Sequence, residues 1–478
     1  MTEHHEHHRH GIEGTGHSAS TPSTKEQSHH QHHGHVAHAT PDDWHAAYAQ
    51  AYEAAQPEPG RTVVSVDLES HEFDWEFKPG RTTRAWGFNG QVPGPTIGAR
   101  VGDVLEIRLT NRLSEPTAIH WHGLRLPAAM DGTDMVQRPV QPGQTFTYRF
   151  KLPDAGTFWY HPHMNETVQL ERGMYGALVV RGPDEPRLDA ERVLVLDDVA
   201  LDRKGQVKPP GWWIEGHNGR EGNTRLVNGR QEPELEIAAG QIERWRIVNA
   251  ASARYIRLSI GGKPFRILGT DGGLITAPFT TSEVLIAPAD RVDLAVGPFS
   301  EGETIKIESL PFNRGAIGRR KKVEAFGSLR VGRAGKTRAR IPDKLRQIEP
   351  LVKGSVTSTR EIRLGFKLSL QHGVDFTINK ESHHHDKPVS VGELQVWDIV
   401  NASPVHHPFH LHGFFFQVLE VNGKPPEFLS WEDTLNIPAM GRARIAWMPD
   451  DRPGEWMYHC HILEHHAGGM MAHFDVVR

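Results

Sequence analysis

Cys460 is the single cysteine among 478 residues, so it has no partner within the chain for a disulfide. Its neighbours give it chemistry. It lies in Trp456-Met457-Tyr458-His459-Cys460-His461-Ile462-Leu463-Glu464-His465-His466-Ala467-Gly468-Gly469-Met470. In an extended strand successive side chains alternate faces, so Cys460 points one way and His459 and His461 the other. A thiolate with His465 and the thioether of Met470 supplies three of the four parts of a blue-copper site, the thioether being the weak axial ligand. The flanking histidines would serve a different metal on the opposite face. One short strand then wires two metal centres together through covalent bonds.

The missing parts are three more His-x-His pairs, His120-Trp121-His122, His161-Pro162-His163 and His410-Leu411-His412. With His459 and His461 they give eight imidazoles, enough for a three-metal cluster. His407, in His407-Pro408-Phe409-His410-Leu411-His412-Gly413, is the natural second nitrogen for the Cys460 site. Mixed imidazole and thiolate ligation suits copper better than magnesium or calcium. Zinc fits less well, because one cysteine among many paired histidines matches none of its usual structural sites. The bland alternative, histidines scattered through a core, requires desolvating many unpaired rings.

These four segments resemble the copper-binding motifs of the multicopper oxidases, most closely the three-domain, laccase-like bacterial group, over residues from about 60 to Arg478. The resemblance implies an all-β fold of three consecutive cupredoxin-like Greek-key sandwiches and four copper ions. A type 1 copper takes His407, Cys460, His465 and axial Met470. A type 2 copper takes His120 and His410. A type 3 pair takes His122, His161, His163, His412, His459 and His461. It also implies the reaction: a donor, a phenol or aromatic amine, loses one electron at the exposed edge of His465, Cys460 passes it to His459 or His461, and four such events reduce O2 to two waters. Asp131, in Met130-Asp131-Gly132, matches the family's cluster carboxylate. Many relatives carry Glu after the His465 position as a proton relay; this chain carries His466, which can also move protons near neutral pH.

The donor is less well specified. A metallo-oxidase acting on Cu(I), Fe(II) or Mn(II) is the alternative. There is no Met-rich run among the ten methionines, but Glu432 and Asp433 would bind a cation if they lay near the type 1 copper. A further alternative is copper sequestration by the first 39 residues, which hold twelve of the 32 histidines.

Around these motifs the chain divides as follows. Residues 1–39 are polar and His-rich, and a disordered tail is expected because too little apolar surface is present to offset chain entropy. Residues 40–59 form a short helix and linker: Thr40-Pro41-Asp42-Asp43 is a helix start, and Trp44, Tyr48 and Tyr52 make one stripe that docks on the body. Three strand-rich domains follow at 60–183, 184–340 and 341–478. The second has no His-x-His pair and spaces the other two; its one histidine, His217, reads as a surface residue. Trp245-Arg246-Ile247-Val248-Asn249 and Trp397-Asp398-Ile399-Val400-Asn401 match, which indicates internal duplication. The basic run Arg314–Arg340 reads as a solvated hairpin and linker rather than a nucleic-acid patch, since aromatics are not interleaved. His383-His384-His385-Asp386 reads as a loop.

Acidic residues (59) slightly outnumber basic ones (54), which argues against a polyanion binder. A mean hydropathy of -0.51 and no long apolar stretch argue against a membrane span. The expected partners are a small reductant and O2, with no nucleic acid, and the expected form is a monomer. No signal peptide is visible; family resemblance points to a periplasmic or secreted protein.

Overall fold

The computed structural model describes residues 41–211, 214–317, 322–369 and 373–478. The His-rich segment 1–39 and the stretch Arg319-Arg320-Lys321 lie outside the described residues.

Three β-sandwiches follow one another, as expected for cupredoxin-like domains. Strands between Val63 and Arg181 form two four-stranded sheets. Strands between Ala190 and Ala334 form a seven- and a five-stranded sheet, and those between Arg360 and Val477 a five- and a six-stranded sheet. Six strands carry or flank the motifs: β1 (Ile119–His122) and β2 (Gly156–Pro162) in the first sandwich, then β3 (His407–Leu411), β4 (Thr434–Ile437), β5 (Gly454–Cys460) and β6 (Met471–Val477) in the third. Four helices matter: α1 (Pro41–Ala54), α2 (Glu166–Gln169), α3 (Ile214–Asn218) and α4 (Leu463–Ala467).

Each sandwich closes one strand with the same device. Asn111 Nδ2 donates to the carbonyls of Glu115 and Val140, Asn249 Nδ2 to those of Arg254 and Ile286, and Asn401 Nδ2 to those of Val405 and Ile437. These buried amides meet carbonyls that would otherwise lack partners. The equivalence of Asn249 and Asn401 gives the sequence duplication its structural form.

The aromatic stripe of α1 does dock. Trp44 Nε1 donates to Met135 O at 2.9 Å, Tyr48 OH to Thr147 O at 2.9 Å and Tyr52 OH to Glu106 Oε2 at 3.1 Å. Two local expectations change. His384 and His385 form a two-residue strand against β6 instead of a loop. Arg314, which opens the basic run, is fully buried, and its Nε donates to Glu221 at 2.9 Å; an opposite charge inside the protein takes the place of solvent. Among the described residues no helix is long and apolar enough to cross a membrane.

Candidate metal centres

Strand register brings the first donor set together. On β5 the side chains of Trp456, Tyr458 and Cys460 enter the third domain's apolar core beside Trp397 and Phe474, while His459 faces the other way, as alternation requires. β5 pairs with β3, setting Phe409 opposite Cys460 and His410 opposite His459. α4 then turns the chain back so that His465 reaches Cys460. His407 Nδ1 lies 3.3 Å from Cys460 Sγ, His465 Nδ1 lies 3.6 Å from it, and the two nitrogens are 3.1 Å apart. Met470 is fully buried in the same core and its N–H donates to His465 O at 3.0 Å.

The outer nitrogens fix the ring states here. His407 Nε2 meets Ser403 Oγ at 2.7 Å, and that hydroxyl donates on to Asn401 Oδ1. His465 Nε2 donates to His217 O at 3.0 Å. Both Nδ1 atoms therefore present lone pairs toward the sulfur. Burial pushes the Cys460 thiol well up and holds His407 down to about 3. Two facing lone pairs beside a buried thiol are unfavourable alone and become favourable around a cation that displaces the thiol proton.

The eight His-x-His imidazoles meet in one cavity between the first and third domains. β1 sets His120 opposite His161 on β2. The His122 and His410 rings stack at 3.7 Å, as do His120 and His412 at 3.9 Å. Ligand atoms within 4.8 Å of one another occur in the sets His120–His122–His161, His120–His410–His412 and His163–His412–His459. Outward nitrogens are anchored on acceptors. His120 Nδ1 donates to Asp131 O, His161 Nδ1 to Pro162 O, His410 Nδ1 to Asp433 O and His459 Nδ1 to Cys460 O, all at 2.9–3.0 Å. His412 Nδ1 donates to Asp131 Oδ2 at 2.8 Å.

Inward nitrogens are left over. His120 Nε2, His122 Nδ1, His161 Nε2, His163 Nε2 and His410 Nε2 are buried without hydrogen-bond partners, as are both nitrogens of His461. His412 Nε2 and His459 Nε2 face each other at 3.0 Å, and their anchoring leaves neither a proton to share. Burial holds most of these imidazoles well below their ordinary pKa, which keeps them in the neutral, ligating form. So many orphaned acceptors in one buried space fit a group of bound metal ions.

Three carboxylates frame the cavity, and two of them were not legible as such. Asp131 is buried; burial pushes its carboxyl up, but His412 and His120 outweigh this and hold it well below the usual range. Glu166 lies 3.1 Å from His163 Nδ1 and 2.9 Å from His466 Nδ1, and these histidines bring it down to about 2 against the effect of burial. His466 itself stacks on His459 at 4.3 Å. Asp433 lies 3.2 Å from His122 Nε2 and makes a two-pronged ion pair with Arg291. Asp433 thus belongs to the histidine cavity and not to the Cys460 site. His122 and Asp433 are 311 positions apart, so sequence alone carried no signal of this contact.

The edge of His465 is not exposed. The residue is fully buried, its outer nitrogen is capped by His217 of α3, and Phe376 stacks on its ring at 3.9 Å. His217, expected at the surface, is half-buried and acts through its main chain.

A family model described as multicopper oxidase matches residues 70–185, and two others of the same description match 194–300 and 359–478. The chain is 30% identical over 475 residues to multicopper oxidase MmcO of Mycobacterium tuberculosis, covering 90% of each. It is also 30% identical to cell division protein FtsP of Xenorhabdus nematophila, covering 82% of this chain and 84% of that one. Among solved structures it is similar to a multicopper oxidase from Campylobacter jejuni named a metallo-oxidase, with a TM-score of 0.79, 32% identity, and 87% and 92% of the two chains covered.

Proposed function

The chain belongs to the multicopper oxidase family, and on that premise we propose that it couples four one-electron oxidations of a small donor to the reduction of O2 to two waters. The observation that carries this reading is the convergence of eight imidazoles, six of them with an unpartnered buried nitrogen, on the reverse side of the strand that bears Cys460. In this reading His407, Cys460, His465 and Met470 hold one copper, His120 and His410 a second, and His122, His161, His163, His412, His459 and His461 the remaining pair. Copper bound at these places supplies a one-electron acceptor at Cys460 and an O2-reducing centre in the cavity. The chain's own residues do the rest. The peptide bonds on either side of Cys460 join the two donor sets covalently. Asp131 orients His412 through Oδ2 and His120 through its main-chain carbonyl, which leaves Oδ1, buried without a hydrogen-bond partner, as the proton acceptor. The buried walls keep bulk water away from the O2 site.

The covered His465 favours a reduced metal ion, Cu(I) or Fe(II), as donor over a phenol or aromatic amine. A flat ring needs an open histidine edge, whereas α3 and Phe376 occupy that space. The relative from Campylobacter jejuni, named a metallo-oxidase, agrees with this choice. The domains are taken as 60–183, 184–340 and 341–478, and the setting as periplasmic or secreted.

Copper-loaded protein tested for O2 uptake with a phenol, Fe(II) and Cu(I) decides both points. Faster uptake with the metal ions is expected. A phenol rate well above both overturns the choice of donor. Failure to take up four coppers, or to consume O2 with any donor, overturns the oxidase reading.

A further inference from the structure

Three of the ten methionines form a buried cluster of their own. Met135, Met457 and Met471 are 8%, 1% and 9% exposed and pack together apart from the domain cores, with the partly buried Val136 against them. β5 and β6 place two of them. In that antiparallel pair Met457 is opposite His473 and His459 is opposite Met471. Opposed side chains in such a pair have Cβ atoms about 5 Å apart, so methionine and histidine alternate over one small patch. The reverse face of the same strands, Tyr458, Cys460, Ala472 and Phe474, fills the core. His473 adds a second, independent observation: its Nε2 is buried without a partner, while its Nδ1 lies 3.5 Å from Glu455.

We propose that Met135, Met457, Met471 and His473 form a binding site for one soft monovalent cation, Cu(I), beside the histidine cavity. Thioethers select Cu(I) over Cu(II), Zn(II) or hard cations, and the unpartnered Nε2 of His473 completes the set. The three thioethers carry no charge, which suits a monovalent ion. An apolar filling role would be served as well by leucine and would leave the His473 nitrogen unexplained.

The position gives the site a use. Met471 is the cross-strand neighbour of His459, and Met135 follows Asp131, the partner of His412, by four residues. On the side of α1 a cavity of about 330 Å³ is lined by Trp44, His45, Tyr48 and Val136, and Val136 also packs against the cluster. An ion held by the three sulfurs passes to His459 by exchanging Cu–S for Cu–N bonds, with no change of oxidation state and no proton released from a neutral ring. This role rests on the reading that the cavity takes copper; the binding site itself does not.

The test uses the full chain with 13C-methyl methionine, copper-loaded, fully reduced and under argon, titrated with Ag(I) as a redox-inert stand-in. The expected result is a saturable shift of the Met135, Met457 and Met471 methyl signals at one equivalent, absent when Met135→Leu, Met457→Leu and Met471→Leu are combined and weakened in His473→Gln. Met470 should not move, because its site is already filled. The triple variant should also fill its cavity with Cu(I) several-fold more slowly, to the same final content. Unmoved methyls in the wild-type chain overturn the site, even where the triple variant fails to fold. Normal filling kinetics in the triple variant overturn the hand-on role and leave the oxidase reading intact.

Discussion

The two donor sets are built on opposite plans. The Cys460 site draws all its donors from the third sandwich, and its rings are anchored on uncharged groups, Ser403 Oγ and His217 O. The histidine cavity draws from two sandwiches and is framed by carboxylates, Asp131, Glu166 and Asp433. A site folded within one sandwich needs only nearby partners. A site that spans an interface also needs something to hold the interface. Arg291 does this from the second domain, which supplies no donor: its Nε donates to Thr157 O in the first domain, its N–H to Asp271 in the second, and its guanidinium to Asp433 in the third.

The largest expected effect separates the sets outright. Cys460→Ser should abolish donor oxidation and the blue absorption while the cavity still binds three coppers, read by copper analysis and electron paramagnetic resonance. Loss of all four coppers would show that the cavity depends on the thiolate for its own assembly and that the two donor sets are not independent. Arg291→Met tests the opposite side. Breaking a buried ion pair by removing one partner costs about 3–5 kcal/mol, which urea unfolding will register. Copper should be lost from the cavity while the blue absorption remains; equal loss from both sites would make Arg291 a general brace.

The contrast also explains what the sequence made legible. The His-x-His pairs and Cys460 could be read because a strand's two-residue period is a local rule that places each side chain without reference to the rest of the fold. Asp131 was readable by its motif. Glu166, Arg291 and the role of Asp433 were not, since the contacts Glu166–His466, Arg291–Asp433 and Asp433–His122 each join residues far apart in the chain across a domain interface. The exposed edge expected for His465 failed for the same reason. The cap comes from α3, in a domain whose motifs gave no hint of the site. The stripe of α1 was legible as a helix face, but its seat beside Met135 was not.

Asp131→Asn comes next in size. Asn keeps the shape and still accepts from His412 Nδ1, but it carries no charge and takes no proton. Turnover should fall by about 10²-fold, the lower end of general acid–base contributions, with the blue absorption unchanged. Unaltered O2 reduction would remove Asp131 from proton handling and leave it an orienting role alone.

Acid should act on both sets in the copper-free chain. His407 is held down to about 3 by burial, whereas an unfolded histidine titrates near 6.5. As pH falls from about 6.5 towards 3, the unfolded chain gains a proton that the folded site refuses. Stability then drops by about 1.4 kcal/mol per pH unit for each such histidine, and above about 6.5 it is insensitive. His122, His161, His163, His410, His412, His459 and His461 shift the same way, so the copper-free protein should unfold cooperatively on mild acidification, followed by circular dichroism. A flat profile from pH 7 to 4 would mean that the rings take up protons as readily in the folded chain as in the unfolded one and are not held in the neutral, ligating form.

The smallest effect concerns one hydroxyl. Ser403 Oγ accepts from His407 Nε2–H and donates its own hydrogen bond to Asn401 Oδ1, the same asparagine that closes the strand in this sandwich. Ser403→Ala leaves His407 Nε2–H buried without a partner, worth about 1–3 kcal/mol. The ring can recover part of this by rotating, which would carry Nδ1 away from the sulfur. The thiolate copper should therefore bind more weakly and its absorption band should shift, while the cavity's copper content stays at three. His465, anchored on a main-chain carbonyl, has no equivalent variant, so Ser403→Thr is the control: it restores the hydroxyl and should restore the band. A band unmoved in both variants would show that packing against Phe376 and Cys460, not the hydroxyl, sets the orientation of His407.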